Sequence, residues 1–231
     1  MKSLLSALLP ALLFVPAAAP AANRTVSVGS FERIRVDGPF EVHVQTGRSP
    51  GATISGDRRA ADDVQVRTTG ATLVVSKGTG GWGEQTGASG SVVVTLTTPS
   101  LTSAVVQAGG RVTISAMKAM RVDVSVSGAG SLALAAADTD QLNATVVGTG
   151  QMTIGGRAAR ARLTTSGPGA IDASALDVRD LVVTLDGVGE TKAKARYSAQ
   201  VTNTGLGTVT VAGGAKCAIK APAGGPVRCG P

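Results

Sequence analysis

The sequence predicts an all-β fold, a right-handed parallel β-helix (β-solenoid) with rungs of about 20 residues, and three observations carry that expectation. First, Gly-x-Gly recurs at Gly128 and Gly130, Gly148 and Gly150, Gly167 and Gly169, Gly187 and Gly189, and Gly205 and Gly207, at spacings of 20, 19, 20 and 18 residues. Ala108-Gly109-Gly110 stands one period upstream, so the second position is glycine six times over: Gly110, Gly130, Gly150, Gly169, Gly189 and Gly207. Second, the flanking columns are apolar at a period of two, which turns one face of a strand inward. Two residues before each pair stand Val106, Val126, Val146, Thr165, Leu185 and Asn203. After it come Val112, Leu132, Met152, Ile171, Thr191 and Val209, then Ile114, Leu134, Ile154, Ala173, Ala193 and Val211. Third, 31 glycines and only five aromatic residues (Phe14, Phe31, Phe40, Trp82, Tyr197) exclude a large aromatic core and suit a narrow interior of small and β-branched side chains.

Each repeat reads as a strand, a glycine corner, a second strand and a variable connector, for example residues 115–121 or 155–160. A single rung cannot bury its own apolar face, whereas stacked rungs align the columns into a continuous core. Glycine at the corner is expected both to adopt positive φ and to let successive backbones approach closely. Residues 108–214 are the regular rungs. Upstream, residues 31–45, 64–75 and 92–96 alternate as strands, so 23–107 are read as N-terminal strands and cap of the same domain, with the Gly-rich stretch 78–90 as an excursion.

Residues 1–22 have the form of a signal peptide: Lys2, an apolar run over 4–15, and a small-residue tail with Ala19-Pro20-Ala21 as the cleavage signature. The apolar run is about half the ~20 residues a membrane-spanning helix needs, so export without a retained anchor is expected, to the periplasm or the cell surface. Cys217 and Cys229, the only cysteines, fall in the tail 215–231, and in an oxidising compartment they are expected to pair. Two thiolates and the distant His43 do not make a tetrahedral metal shell, and no cofactor is expected.

Without Lys2 the chain carries 21 basic and 15 acidic residues. The charge is dispersed and lacks aromatic interleaving, so envelope polysaccharide, lipid head groups or another surface protein fit it better than nucleic acid.

The segment Phe31-Glu32-Arg33-Ile34-Arg35-Val36-Asp37-Gly38, the step Thr98-Pro99-Ser100-Leu101 and the strand-Gly-x-Gly-strand units resemble the putative auto-transporter adhesin, head GIN domain family, over roughly residues 31–211. The resemblance implies an exported bacterial protein with a β-helix-like fold and supplies no catalytic residues. Two features depart from it. Family corners often continue into Asp, whereas Ser131, Gln151, Ala170, Glu190 and Thr208 follow here, and the tail after Val211 does not read as strands of a translocator barrel.

Catalytic chemistry finds few candidates. His43 lies in the alternating strand Glu41-Val42-His43-Val44 and is expected to face solvent. The Gly-x-Gly pairs precede strands rather than helices, unlike a dinucleotide fingerprint. Asp186 and Glu190 flank one corner and are the pair a polysaccharide-active β-helix enzyme would need. Trp82 is a candidate for stacking on a sugar ring. Arg157, Arg160 and Arg162, with Lys192, Lys194 and Arg196, are candidates for a basic stripe. The leading expectation is a non-enzymatic binding platform. The alternatives are the polysaccharide-active enzyme, marked by carboxylates on neighbouring rungs, and an envelope protein assembling through its end rungs. A flat face of small polar residues would mark the platform.

Overall fold

The computed structural model describes residues 22–78 and 92–230. The expected leader and Trp82 lie outside the described residues. The described residues fold into a parallel β-solenoid of about six turns with rungs of roughly 20 residues.

The chain runs through β1 (Ala22–Val26), β2 (Arg33–Asp37), β3 (Glu41–Thr46), β4 (Gly51–Gly56), the short helix α1 (Arg58–Asp62), β5 (Val64–Thr69), β6 (Thr72–Lys77), β7 (Val92–Thr98) and β8 (Ser103–Gln107). The regular part follows as β9 (Arg111–Ser127), β10 (Ser131–Val147), β11 (Gln151–Ser166), β12 (Ala170–Asp186), β13 (Glu190–Asn203) and β14 (Thr208–Ala212). β15 (Lys216–Lys220) and β16 (Val227–Gly230) close the stack.

Each long strand turns through three segments. In β9 the first pairs in parallel with β3 (Val112 beside Val42) and the last with β8 (Val124 beside Ala104). The middle segment, 116–121, has its ladder partners only in the equivalent stretch of β10. The stretches read from the sequence as irregular connectors are thus strand, a third side of the solenoid, because their backbones also find ladder partners one rung away. Repeat length varies on this side. β10 and β11 are offset by 20 residues at Leu132 and Met152 but by 19 from Ala137 and Gly156 onward, and β12 and β13 shift likewise after Ala173.

All three apolar columns are buried, including their polar members. Thr165 and Thr191 hydrogen-bond each other inside the core at 2.9 Å, and Asn203 donates to the Gly207 carbonyl at 2.8 Å while accepting from the Gly205 amide. Each thus meets its hydrogen-bonding need from an adjacent corner or strand, which is the condition for burying it at all.

The corners divide two tasks that the sequence assigns to one position. Positive φ belongs to the first glycine of the pair at Gly128, Gly148 (φ +100°), Gly167 and Gly187, though not at Gly205. The second has no positive φ; it is glycine because a Cβ on Gly150 would lie 2.6 Å from Val126 Cγ1 and 2.8 Å from the Gly130 carbonyl oxygen. The same carbonyl contact recurs between successive members of the column from Gly110 to Gly207. The expectation of positive φ at this column is therefore corrected: sterics between rungs, not backbone torsion, exclude a side chain there.

The N-terminal part does not stack in chain order. β2 lies between β6 and β8, and β3 between β7 and β9, all in parallel. The rung formed by β2 and β3 is thus enclosed by a rung that comes later in sequence. Beyond it, β5 pairs antiparallel with β6, and β4 with β7, while β1 adds antiparallel to β4. This reversal of direction caps the parallel stack. α1 bridges the cap, with Asp57 as its N-cap accepting from the Arg59 and Ala60 amides.

The other end is closed by a disulfide between Cys217 and Cys229, whose Cα atoms are 6.6 Å apart. Cys217 stands beside Ala199 and Cys229 beside Val211, both buried, so the two cysteines continue inward columns from two sides of the solenoid. Their bridge spans the interior and forms part of its last layer.

Candidate functional site

With the interior filled by apolar columns, any binding chemistry resides in what the outward columns repeat, and two sides repeat something specific. On the side built from 123–127 and its equivalents, the central outward column reads Ser125, Thr145, Thr164, Thr184 and Thr202, direct register partners across five rungs. Neighbouring strands lie about 4.8 Å apart, so this is a row of hydroxyls at that interval. Ser127, Ser166 and Thr204 extend it toward the corner, interrupted by Val147 and Asp186. The result is a side of short, half-buried, mostly uncharged polar residues.

The third side carries an alternating ladder. Lys118, Asp138, Arg157 and Asp177 are successive register partners, and Arg196 follows on β13. Arg157 donates to both Asp138 oxygens at 2.8 and 2.9 Å, and Lys118 Nζ stands 3.9 Å from the same carboxylate. Arg196 makes the equivalent two-point contact with Asp177. A shallow cleft of about 550 Å³ overlies this ladder, with Met120, Asp140 and Arg179 also on its wall. The Arg179 guanidinium lies 5.7 Å from the centre of the exposed Tyr197 ring.

The Arg157 guanidinium holds the Asp138 carboxyl below its ordinary value of 3.8. The Ser174 hydroxyl and amide do the same for Asp172. A carboxyl depressed in the folded state stabilises above its unfolded pKa, and that contribution is lost as pH falls through the lower, folded value. Replacing Arg157 by Gln should therefore return Asp138 upward toward 3.8, measured by carboxyl-carbon NMR titration; an Asp138 titration unmoved by R157Q would show that the ion pair does not form in solution.

Against this geometry, the predicted basic stripe does not assemble. Arg157, Arg160 and Arg162 are exposed, but they occupy three different columns. Their neighbours on adjacent rungs are Asp138 and Asp177, Gln141 and Asp180, and Asn143 and Val182. Strand alternation separates residues along a rung, and the ladder places an acid on both sides of Arg157, on one side of Arg160 and on neither side of Arg162. Lys192 pairs with Glu190 at 3.1 Å. Asp186 accepts from Thr204 Oγ1 at 3.2 Å, and the residues beside Glu190 on neighbouring rungs are Ala170 and Thr208, so the two acids form no carboxylate row. His43 is partly exposed, with Glu41 3.2 Å from its Nε2. Among the described residues no group of three or more His, Cys, Asp or Glu side chains is placed to hold a metal ion, and no helix is long and apolar enough to cross a membrane.

Sequence reading missed both repeating surfaces, although aligning the repeats by their glycines brings Lys118, Asp138, Arg157, Asp177 and Arg196 into one column and the threonines into another.

Comparison with known proteins agrees with this architecture. The model of the putative auto-transporter adhesin, head GIN domain family matches residues 30–215. The chain is similar to the crystal structure of a putative adhesin from Bacteroides fragilis, with a TM-score of 0.78 at 20% identity, covering 92% of this chain and 97% of that one. It is similar to a putative adhesin from Parabacteroides distasonis (TM-score 0.68, 17% identity, 90% and 96% covered). A third similar structure is a putative lipid binding protein, also from Parabacteroides distasonis (TM-score 0.70, 15% identity, 91% and 94% covered). At these identities the likeness is one of fold. No curated protein matches the chain.

Proposed function

Because the chain belongs to the putative auto-transporter adhesin, head GIN domain family, we propose that it is an exported, non-enzymatic module whose rigid solenoid is a platform for surface molecules, envelope polysaccharide first among them. The observation that carries this reading is the hydroxyl row Ser125, Thr145, Thr164, Thr184 and Thr202. A hydroxyl both donates and accepts, so it can meet sugar hydroxyls of either polarity. Threonine is stiff at χ1, and each one here stands on a backbone fixed by two ladders, so ordering on binding costs little. The repeat interval suits an extended chain lying along the solenoid axis and making one contact per rung.

Glycoside hydrolysis would need two carboxylates flanking the bond, about 5–9.5 Å apart. Asp186 and Glu190 are instead engaged by Thr204 and Lys192, which supports binding without turnover.

The test is binding of the mature protein to envelope polysaccharide fractions, followed by isothermal calorimetry with the fraction retained. T164K/T184K should weaken binding about tenfold or more, by replacing two short hydroxyls with long cations, and should leave the melting temperature nearly unchanged because both positions face outward. Binding that ignores these substitutions removes the hydroxyl row as the site. Release of reducing ends, abolished by D186N or E190Q, replaces the platform with an enzyme.

A further inference from the structure

The basic excess, expected above to be dispersed, is instead concentrated toward the end of the chain. Residues 23–190 contain 15 basic and 15 acidic residues, and no acid follows Glu190, whereas Lys192, Lys194, Arg196, Lys216, Lys220 and Arg228 do. The whole surplus of side-chain charge outside the leader therefore sits on the last rungs. Lys192 and Arg196 are held by Glu190 and Asp177. Lys194, Lys216, Lys220 and Arg228 are exposed and have no ion-pair partner among the described residues.

The same pole exposes apolar surface. The middle residue of the corner changes along the stack from Ala129 and Thr149 to Pro168, Val188 and Leu206, and Val188 and Leu206 are 66% and 67% exposed. The terminal turn packs directly on this corner: a Cβ on Gly225 would meet the Gly205 carbonyl oxygen at 2.4 Å. That turn presents Pro222, Ala223 and Pro226 to solvent, with Lys220 entering it and Arg228 leaving it. Ile219, beside Lys220, is 46% exposed. Unpaired cations thus frame an aliphatic corner at one end of a rigid rod.

We infer that this C-terminal pole docks end-on against an anionic lipid surface, Leu206, Val188 and the terminal turn entering the head-group boundary while Lys216, Lys220 and Arg228 meet lipid phosphates. Cations near such a surface and aliphatic side chains at its boundary contribute separately to binding, and a lipid surface uses both. An acidic polysaccharide would use the cations alone.

The experiment is flotation of the full mature protein with vesicles of mixed phosphatidylglycerol and phosphatidylcholine, beside vesicles of phosphatidylcholine alone and a soluble acidic polysaccharide. Binding to the anionic vesicles is expected, weakened strongly as salt rises from 0.1 M toward 1 M and the screening length falls from about 10 to about 3 Å. K216E/K220E/R228E should reduce it about a hundredfold, and L206S/V188S should reduce vesicle binding severalfold while leaving any retention by the polysaccharide unchanged. K118E/R121E, on the opposite half of the solenoid, should leave vesicle binding intact. Absence of vesicle binding at low salt overturns the inference. So does equal loss in both cation variants, which would make the attraction one of net charge, and so does binding that survives L206S/V188S in full, which would make the ligand any polyanion.

Discussion

Gly150→Val is expected to lower the free energy of unfolding by about 3 kcal/mol or more. The new Cβ alone would lie 2.6 Å from Val126 Cγ1 and within 3.2 Å of the Gly130 and Gly128 carbonyl oxygens. The carbonyl oxygens belong to the preceding corner, whose position is fixed by its own ladder; the Gln151 amide already donates to the Gly130 carbonyl at 3.0 Å. Relief requires separating two rungs, which breaks backbone hydrogen bonds on both sides of the corner. Gly150→Ala introduces the same Cβ and should cost most of the same energy. In a mechanism based on torsion it would be the milder change by far. Urea denaturation with far-UV circular dichroism measures both variants, and a midpoint equal to that of the unsubstituted protein would overturn the account of the corner as a steric seam.

Replacing Cys217 and Cys229 together by alanine should cost about 3 kcal/mol if the last rung unfolds with the rest, since the bridge closes a loop of 12 residues' separation. The loss should be local in its structural signature. β15 pairs only with β13, and β16 only with β14, so neither has a second ladder partner to hold it when the bridge is gone. Hydrogen exchange should therefore accelerate in 216–230 and at the newly exposed edge of β13, while β9 to β11 keep their protection. Intact-mass analysis before and after reduction checks the bridge itself; two free thiols in protein recovered from an oxidising compartment would contradict it, and uniform exchange rates in the alanine variant would contradict the role in closing the stack.

Much of the regular solenoid was legible because its order is local. Val126, Val146 and Thr165 meet their neighbours one repeat away, so the sequence period and the spatial period coincide. Even the irregular spacings had structural meaning, as slips on the third side where β10, β11 and β12 change register. The placement of β2 between β6 and β8 was not legible: Ile34 pairs with Leu73 and Ala104, and nothing local to any of the three segments encodes that choice. Short alternating strands such as Arg33–Asp37 and Thr72–Lys77 present similar inward faces and can stack in more than one order. The antiparallel cap was hidden for the same reason, although Asp57 before Arg58-Arg59-Ala60-Ala61 was a usable helix start. Of the surface, the direction of each side chain followed from alternation, but its partners followed only from register, which is why Arg157 read as one of three cations along a rung and stands instead between two aspartates across rungs.

The enclosed position of β2 and β3 changes what it means to shorten this molecule. In a stack that follows chain order, removing residues from the start takes away an outer plate and leaves a smaller but continuous pile. Here a chain beginning after Thr46 would lose an inner plate, with Leu73 and Val75 of β6 on one side of the gap and Ala104 and Val106 of β8 on the other, all buried in the intact protein. Residues 33–46, which form β2 and β3, are thus a keystone rather than an edge, and the smallest self-consistent unit must begin before Arg33.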